Sequence, residues 1–181
     1  MKGAMNAVMT NGVLRLAAKP QPNLSPAALL GELNDVLKER LEELMNVTMV
    51  IGLVSVEAKR LTLANAAHHA HPLLVRKGEV QRLIAKGMLL GMMAGIRYRE
   101  VEFLLQSGDV VAFMTDGIIE ITDSSGQDYA GSGQLEQVIG GFTAEMPPRE
   151  MVDVLIDDAL AYGRRKAEQD DYMTVVVLRL K

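Results

Sequence analysis

"VVAFMTDGIIE", residues 110–120, is the stretch from which the rest of the chain can be read. Five residues suited to a buried strand run into a Thr-Asp-Gly corner that carries one acidic side chain. A second stretch, "QDDYMTVVVLRL" at 169–180, holds the same ingredients in reverse order, with the acidic pair first and the apolar strand after it. Two carboxylate positions at the mouths of two buried strands have the character of one metal site. Hard divalent cations such as Mg²⁺ and Mn²⁺ take oxygen ligands, and strand ends hold carboxylates on rigid elements. A glycine after the acid, here Gly117, lets backbone or substrate approach closely. Taken singly, each Asp reads as well as a turn residue or a helix cap, so spacing alone leaves both readings open.

The bulk composition bounds the function classes. A chain of 181 residues suffices for one domain with a sizeable core. The formal charge of −4, with no block of Lys or Arg, argues against a nucleic-acid partner. Aromatic residues make up 4% and Trp is absent, which disfavours recognition by stacked aromatic platforms. Without cysteine there are no disulfides, thiolate zinc sites or cysteine nucleophiles, in keeping with a cytoplasmic protein. The twelve methionines are scattered and read as adaptable core filler. No uninterrupted apolar stretch reaches membrane-spanning length and no secretory signal is evident, so no membrane partner is expected.

Along the chain, Met1, Met5, Met9, Val13 and Leu16 recur at helical spacing. Ser25 can cap a second helix with Pro26 at its first position and a stripe of Leu30, Leu33, Leu37, Leu41 and Leu44. From Val47 the pattern changes. "VTMVIGLVSV" reads as a central strand with "RLTLANA" as its hairpin partner, and "HPLLVRKGEVQRLI" as a hairpin turning at Lys77-Gly78. After the Gly- and Met-rich "AKGMLLGMMAG", "YREVEFLLQSGDVVAFMTDG" reads as two strands joined at Ser107-Gly108-Asp109. Beyond Asp116 the chain is loop-like, "TDSSGQDYAGSG" being its most turn-rich segment. A short helix follows at Gln134–Ile139, and a longer one opens at Pro148 with Val152, Leu155, Ile156, Ala159 and Leu160 on one face. "MTVVVLRL" closes as a buried strand. The class is α+β, with helices packed on antiparallel sheet.

The motifs in this order resemble those of the metal-dependent serine/threonine phosphatases of the protein phosphatase 2C superfamily, in particular the stage II sporulation protein E branch. The resemblance is carried by "SPAALLGELNDVLKERL", "LTLANAAHHAHPLLVRKGEVQRL", "LLGM" at 89–92, "SGDVVAFMTDGIIE" and "QDDYMTVVVLRL". It implies one domain over residues 1–181, built as a four-layer α/β/β/α sandwich of two antiparallel sheets flanked by helices. Two Mn²⁺ or Mg²⁺ ions are the implied cofactors, activating water to hydrolyse phosphoserine or phosphothreonine. By the same resemblance Asp116 and Asp171 are metal ligands. Asp170 and Thr174 flank the second of them, Gly117 permits the tight corner, and His68 stands near the site at a Gly-His position where Ala67 replaces the usual Gly. His69 and His71 read as surface or loop residues, because His-His-x-His has poor geometry for one ion.

The chain departs from the family pattern at its front. The family's Asp-x-x-Gly-x-Gly segment, whose Asp bridges the two metals, precedes the helix that "MKGAMNAV" resembles. The expectation is therefore a domain with its first strands and bridging carboxylate missing. It should bind metal weakly and hydrolyse little on its own, with an exposed sheet edge open to homodimer pairing. A late-starting sequence or a fragment is favoured over natural loss of activity, since the two later motifs are intact in type and spacing. The implied partner is a phosphorylated signalling protein such as an anti-sigma-factor antagonist, with a sensor or receiver domain upstream. The competing reading is a non-catalytic partner-binding module on the same fold.

Overall fold

The computed structural model describes residues 25–40, 47–163 and 172–181. The helix expected at Met1–Leu16, the leucines Leu41 and Leu44, and the acidic pair Asp170 and Asp171 lie outside the described residues. The elements are α1 (Pro26–Arg40), β1 (Met49–Ser55), β2 (Arg60–Ala66), β3 (Leu73–Arg76), β4 (Glu79–Arg82), β5 (Glu100–Leu104), β6 (Val110–Met114), α2 (Asp116–Ile119), α3 (Gln134–Gly140), α4 (Pro148–Gly163) and β7 (Val175–Arg179). The strands form two antiparallel sheets, ordered β1-β2-β5 and β4-β3-β6-β7. With the helices, this is the expected α+β class. The described residues fall into two compact units, one running through His68 and including Ala85–Leu104, the other comprising His69–Ile84 and Leu105–Lys181.

In the first unit, α1 starts where its sequence says it should. The Ser25 hydroxyl accepts a hydrogen bond from the Ala28 amide (3.3 Å), and Pro26 occupies the first helical position, where no amide is needed. Leu30, Leu33 and Leu37 are buried against Ala64, Ala66, Leu90 and Tyr98. Each such leucine contributes roughly 2 kcal/mol of transfer free energy. Among them lies Asn34, fully buried, an amide that a hydrophobic stripe does not predict. Its Oδ1 accepts from the Gly91 amide (3.0 Å) and its Nδ2 donates to the Met93 carbonyl (2.9 Å). Asp35 beside it accepts from the Gly95 amide (2.9 Å). Buried polar atoms are tolerated when both ends are bonded, and here they fasten the 91–95 corner to α1.

One reading of the strands needs correction. The run at 47–56 was expected to be central, but among the described residues β1 is an edge strand and β2 is the middle of its sheet. Only part of β1 is covered: Met49 and Ile51 pack on the α1 cluster, while Gly52, Leu53 and Ser55 are exposed. A continuous apolar run does not distinguish full burial from partial burial at an edge. The two strands expected on either side of Ser107-Gly108-Asp109 are present, and each pairs with strands elsewhere in the chain. β5 pairs with β2, and β6 pairs with β3 and β7.

The second unit is built around β6, whose Val110, Val111, Ala112 and Met114 are buried. The β3–β4 hairpin turns at Lys77 (φ 52°) and Gly78 (φ 82°), and two consecutive positive φ values define the turn type that matches strand twist. Asp109, which the sequence presents as an ordinary turn residue, is 2% exposed. Its two oxygens receive Arg76 Nε (3.0 Å) and Nη2 (2.6 Å), and one also accepts the Gln106 amide (2.7 Å). A buried carboxylate is stable only with this degree of pairing. α4 buries Met151, Leu155 and Ala159, so its inner face is rotated from the expected one and Leu160 lies at its exposed margin.

The turn-rich segment is anchored by Tyr129, which is wholly buried. Its hydroxyl donates to Asp158 Oδ2 (2.7 Å) on α4, whose carboxylate also accepts from Gln134 Nε2 (2.8 Å). The Tyr129 and Tyr162 rings meet at a centroid distance of 5.2 Å. Burial, then the bond to Asp158, pushes the Tyr129 phenol far up. Burial also pushes Tyr98 in the first unit up to about 12, with Asp35 adding to the shift.

Two outcomes follow from this packing. Both phenols hold their protons more tightly folded than unfolded, so their stabilisation is complete below the ordinary value of 10.0 and is lost as pH rises above it. Tyrosinate absorbance should therefore develop in two stages, the later one coinciding with loss of the helical circular dichroism; simultaneous titration of all tyrosines while folded would contradict this. Separately, a Cβ at Gly87 would lie 1.9 Å from the Asn65 carbonyl oxygen, a backbone atom with no freedom to move aside. Gly87→Ala should lower stability by about 2 kcal/mol or more in urea unfolding, and a change below about 0.5 kcal/mol would show that the backbones are not so close.

Candidate metal centre

The Thr-Asp-Gly corner is where β6 stops being a strand. The β6–β7 ladder runs from Val110↔Arg179 to Met114↔Val175, and Thr115 and Thr174 are next in register. The Thr115 amide still donates to the Thr174 carbonyl (3.1 Å), but the Thr115 carbonyl has already turned to accept the Ile118 amide (3.0 Å). With φ −99° and ψ 167°, Thr115 is the extended residue that precedes α2. Its hydroxyl makes no cap bond to the helix. Instead Oγ1 accepts the Thr174 amide (3.0 Å) and donates to the Tyr172 carbonyl (3.1 Å).

Asp116 opens the short α2, and its backbone carbonyl accepts the Glu120 amide (2.9 Å). Its Oδ1 is buried and no hydrogen bond among the described residues reaches it. A carboxylate oxygen withdrawn from water without a partner is costly, and a cation is the group that would compensate it. The residue present thus fits the role of a metal ligand. Gly117 is buried in the first turn of α2, outside the left-handed region, so the corner is a helical turn rather than a glycine-dependent one. Among the described residues no three His, Asp or Glu side chains form a group able to hold a metal.

The structure therefore brings together Asp116, Gly117 and Thr174 in the second unit. His68 belongs to the first unit, at the end of β2. There the buried Asn65 grips it at both backbone groups, Oδ1 accepting the His68 amide (2.8 Å) and Nδ2 donating to the His68 carbonyl (3.0 Å). The ring Nδ1 lies 3.2 Å from Thr48 Oγ1. Between Asn65 and His68, Ala67 has φ 54°, the left-handed conformation for which glycine is the usual residue. His69 is exposed and His71 half-buried. The sequence reading did not single out Asn65 or the Thr115 hydroxyl.

A sequence profile of the stage II sporulation protein E (SpoIIE) family matches residues 1–181. The phosphoserine phosphatase RsbU of Bacillus subtilis (strain 168) is 25% identical over 163 residues, which cover 90% of this chain and 47% of RsbU. The chain thus spans about half the length of that relative. Among solved structures, the SiaA-PP2C domain of Pseudomonas aeruginosa matches all of this chain and 71% of its own at a TM-score of 0.85 and 21% identity. The catalytic domain of the serine threonine protein phosphatase PstP, solved with two manganese ions, matches 93% of this chain and 79% of its own at a TM-score of 0.64 and 17% identity. These likenesses show the protein phosphatase 2C fold.

Ala67→Gly provides a check on the loop that carries His68. Releasing a left-handed alanine recovers about 1 kcal/mol, while the extra freedom of glycine in the unfolded chain costs about 0.5–1 kcal/mol. The two should nearly cancel, leaving the urea midpoint unchanged. A loss approaching 1 kcal/mol or more, as at an ordinary alanine, would mean that Ala67 is not left-handed.

Proposed function

The chain belongs to the stage II sporulation protein E family, and we propose that it is a metal-dependent phosphatase domain acting on phosphoserine or phosphothreonine of a signalling protein. The observation that carries this reading is the buried Oδ1 of Asp116, which has no hydrogen bond among the described residues and sits at a strand-end corner bonded to the residues just before β7. The relative RsbU is a phosphoserine phosphatase, and PstP holds two manganese ions on the same fold. In this reading Asp116 and Asp171 are the metal ligands. Gly117, Asp170, Thr174 and His68 keep the supporting roles that the family resemblance implies for them.

Mn²⁺ or Mg²⁺, when bound, supplies an acidified water and positive charge against the phosphoryl oxygens. The chain's own contribution is placement. Asp116 presents a desolvated carboxylate oxygen at a fixed helical turn, and the Thr115–Thr174 contacts set where β7 begins. As the family resemblance implies, the phosphoryl group would pass directly to water without a covalent enzyme intermediate. An anti-sigma-factor antagonist is the substrate class we favour. In the described residues no helix is long and apolar enough to cross a membrane.

In a longer form of the protein that carries the family's upstream Asp-x-x-Gly-x-Gly segment, Asp116→Asn and Asp171→Asn should each lower Mn²⁺-dependent release of phosphate from a phosphoserine peptide by about a hundredfold or more, the rate equivalent of losing several kcal/mol of metal stabilisation. Without metal, Asp116→Asn should not lower the melting temperature, because Oδ1 has no hydrogen bond among the described residues to lose. Full activity in either variant would discard the ligand assignment.

A further inference from the structure

We infer that the Thr115 hydroxyl is a positioning group for the metal centre, an inference that rests on the reading of Asp116 as a ligand. The physical problem lies at the junction of strand and helix. In an antiparallel pair, residues in a hydrogen-bonded position exchange both amide-to-carbonyl bonds. Thr115 and Thr174 exchange only one, from the Thr115 amide to the Thr174 carbonyl. The return bond cannot form in the usual way, since the Thr115 carbonyl serves the Ile118 amide at the head of α2. The hydroxyl takes its place. Oγ1 accepts the Thr174 amide at 3.0 Å and passes its own proton to the Tyr172 carbonyl at 3.1 Å.

The side chain thereby extends the ladder one pair beyond the point where the backbone leaves it. Both residues that it holds lie within three positions of Asp171 in the sequence, and Tyr172 is joined to it by a single peptide bond. On the other side, Thr115 is bonded covalently to Asp116. One hydroxyl therefore fixes the spacing between the chain segments that carry the two carboxylates. Threonine and serine can do this; valine, with the same shape as threonine, cannot. These contacts are open to water, so their loss should affect stability mildly. Groups behind metal ligands, by contrast, commonly change affinity about ten- to hundredfold.

The test compares the 181-residue chain with its Thr115→Ser, Thr115→Val and Asp116→Asn variants. Free Mn²⁺ is counted by electron paramagnetic resonance during titration, and exchange of the Thr174 amide is followed by NMR. Thr115→Ser should bind as the parent does. Thr115→Val should bind at least about tenfold more weakly while still melting cooperatively, and should lose protection at the Thr174 amide. Parental affinity in Thr115→Val would overturn the inference even if Asp116→Asn abolishes binding. If the parent and Asp116→Asn bind Mn²⁺ with the same measurable affinity, the ligand reading of Asp116 fails instead. The hydroxyl lock is then decided by exchange alone, with protection retained in Thr115→Val counting against it.

Discussion

A backbone carbonyl cannot at once close a sheet ladder and open a helix in a different direction, and the second unit is organised around the residue where both are demanded. β6 is central in its sheet and buried along most of its length, so its course is fixed by packing on Leu73, Val75 and the helices above it. At Thr115 it must turn into α2 within one residue. The neighbouring strand still presents an amide that would otherwise go unpaired, and the threonine hydroxyl supplies the acceptor. The corner is rigid for this reason rather than because of its glycine. Asp116 inherits that rigidity, since it is the next residue and begins a turn already closed by the Ile118 and Glu120 amides.

The same solution recurs wherever the backbone leaves regular pairing. Asn65 grips both backbone groups of His68 as β2 ends, allowing Ala67 to be held in a conformation it would not choose. Asn34 reaches from the inner face of α1 to the 91–93 backbone. Asp109 takes the Gln106 amide in the turn before β6 while pairing with Arg76. In each case a short polar side chain, wholly or largely buried, replaces a missing backbone partner. Satisfying every buried donor and acceptor is the general requirement. Here it is met by side chains at chain reversals, which keeps the connections short and fixed.

This division explains what could be read from the sequence. The helical stripe of Leu30, Leu33 and Leu37, the Lys77-Gly78 hairpin, the long helix from Pro148 and the closing strand are all written as local periodicity or turn chemistry, and all are present. β7 is, however, not the buried strand expected: it lies at an edge of its sheet among the described residues, with Val176 and Leu178 exposed. The family motifs at 110–117 led to the corner and to the fold. Sheet order was less legible. The apolar run of β1 resembles a central strand, and nothing local in "SGD" says that the strands on either side pair with different partners. Asn34, Asn65, Asp109 and the Thr115 hydroxyl were harder still to see. A lone Asn in a helix or an Asp in a turn looks solvated until a distant backbone group is brought against it, which is a tertiary fact.

Asp116 stands out against this background of satisfied polar groups. Of the buried carboxylate oxygens without a hydrogen bond among the described residues, the other belongs to Glu136, whose second oxygen is ion-paired with Arg82. Its charge is thus compensated within the fold. For Asp116 the described residues provide no bond to the buried oxygen, although the corner around it is bonded at Thr115, at its own carbonyl and at Ile118. A fold that closes several corners with side chains, but leaves a buried carboxylate oxygen without a hydrogen bond among the described residues, accepts a cost to stability at that point. Such a cost is commonly met at functional sites, where the compensating partner is a ligand rather than the protein itself. If Asp116 is the metal ligand proposed above, the contacts of Thr115 and the open oxygen of Asp116 are two aspects of one arrangement: a held corner would present that oxygen to a cation without rearrangement.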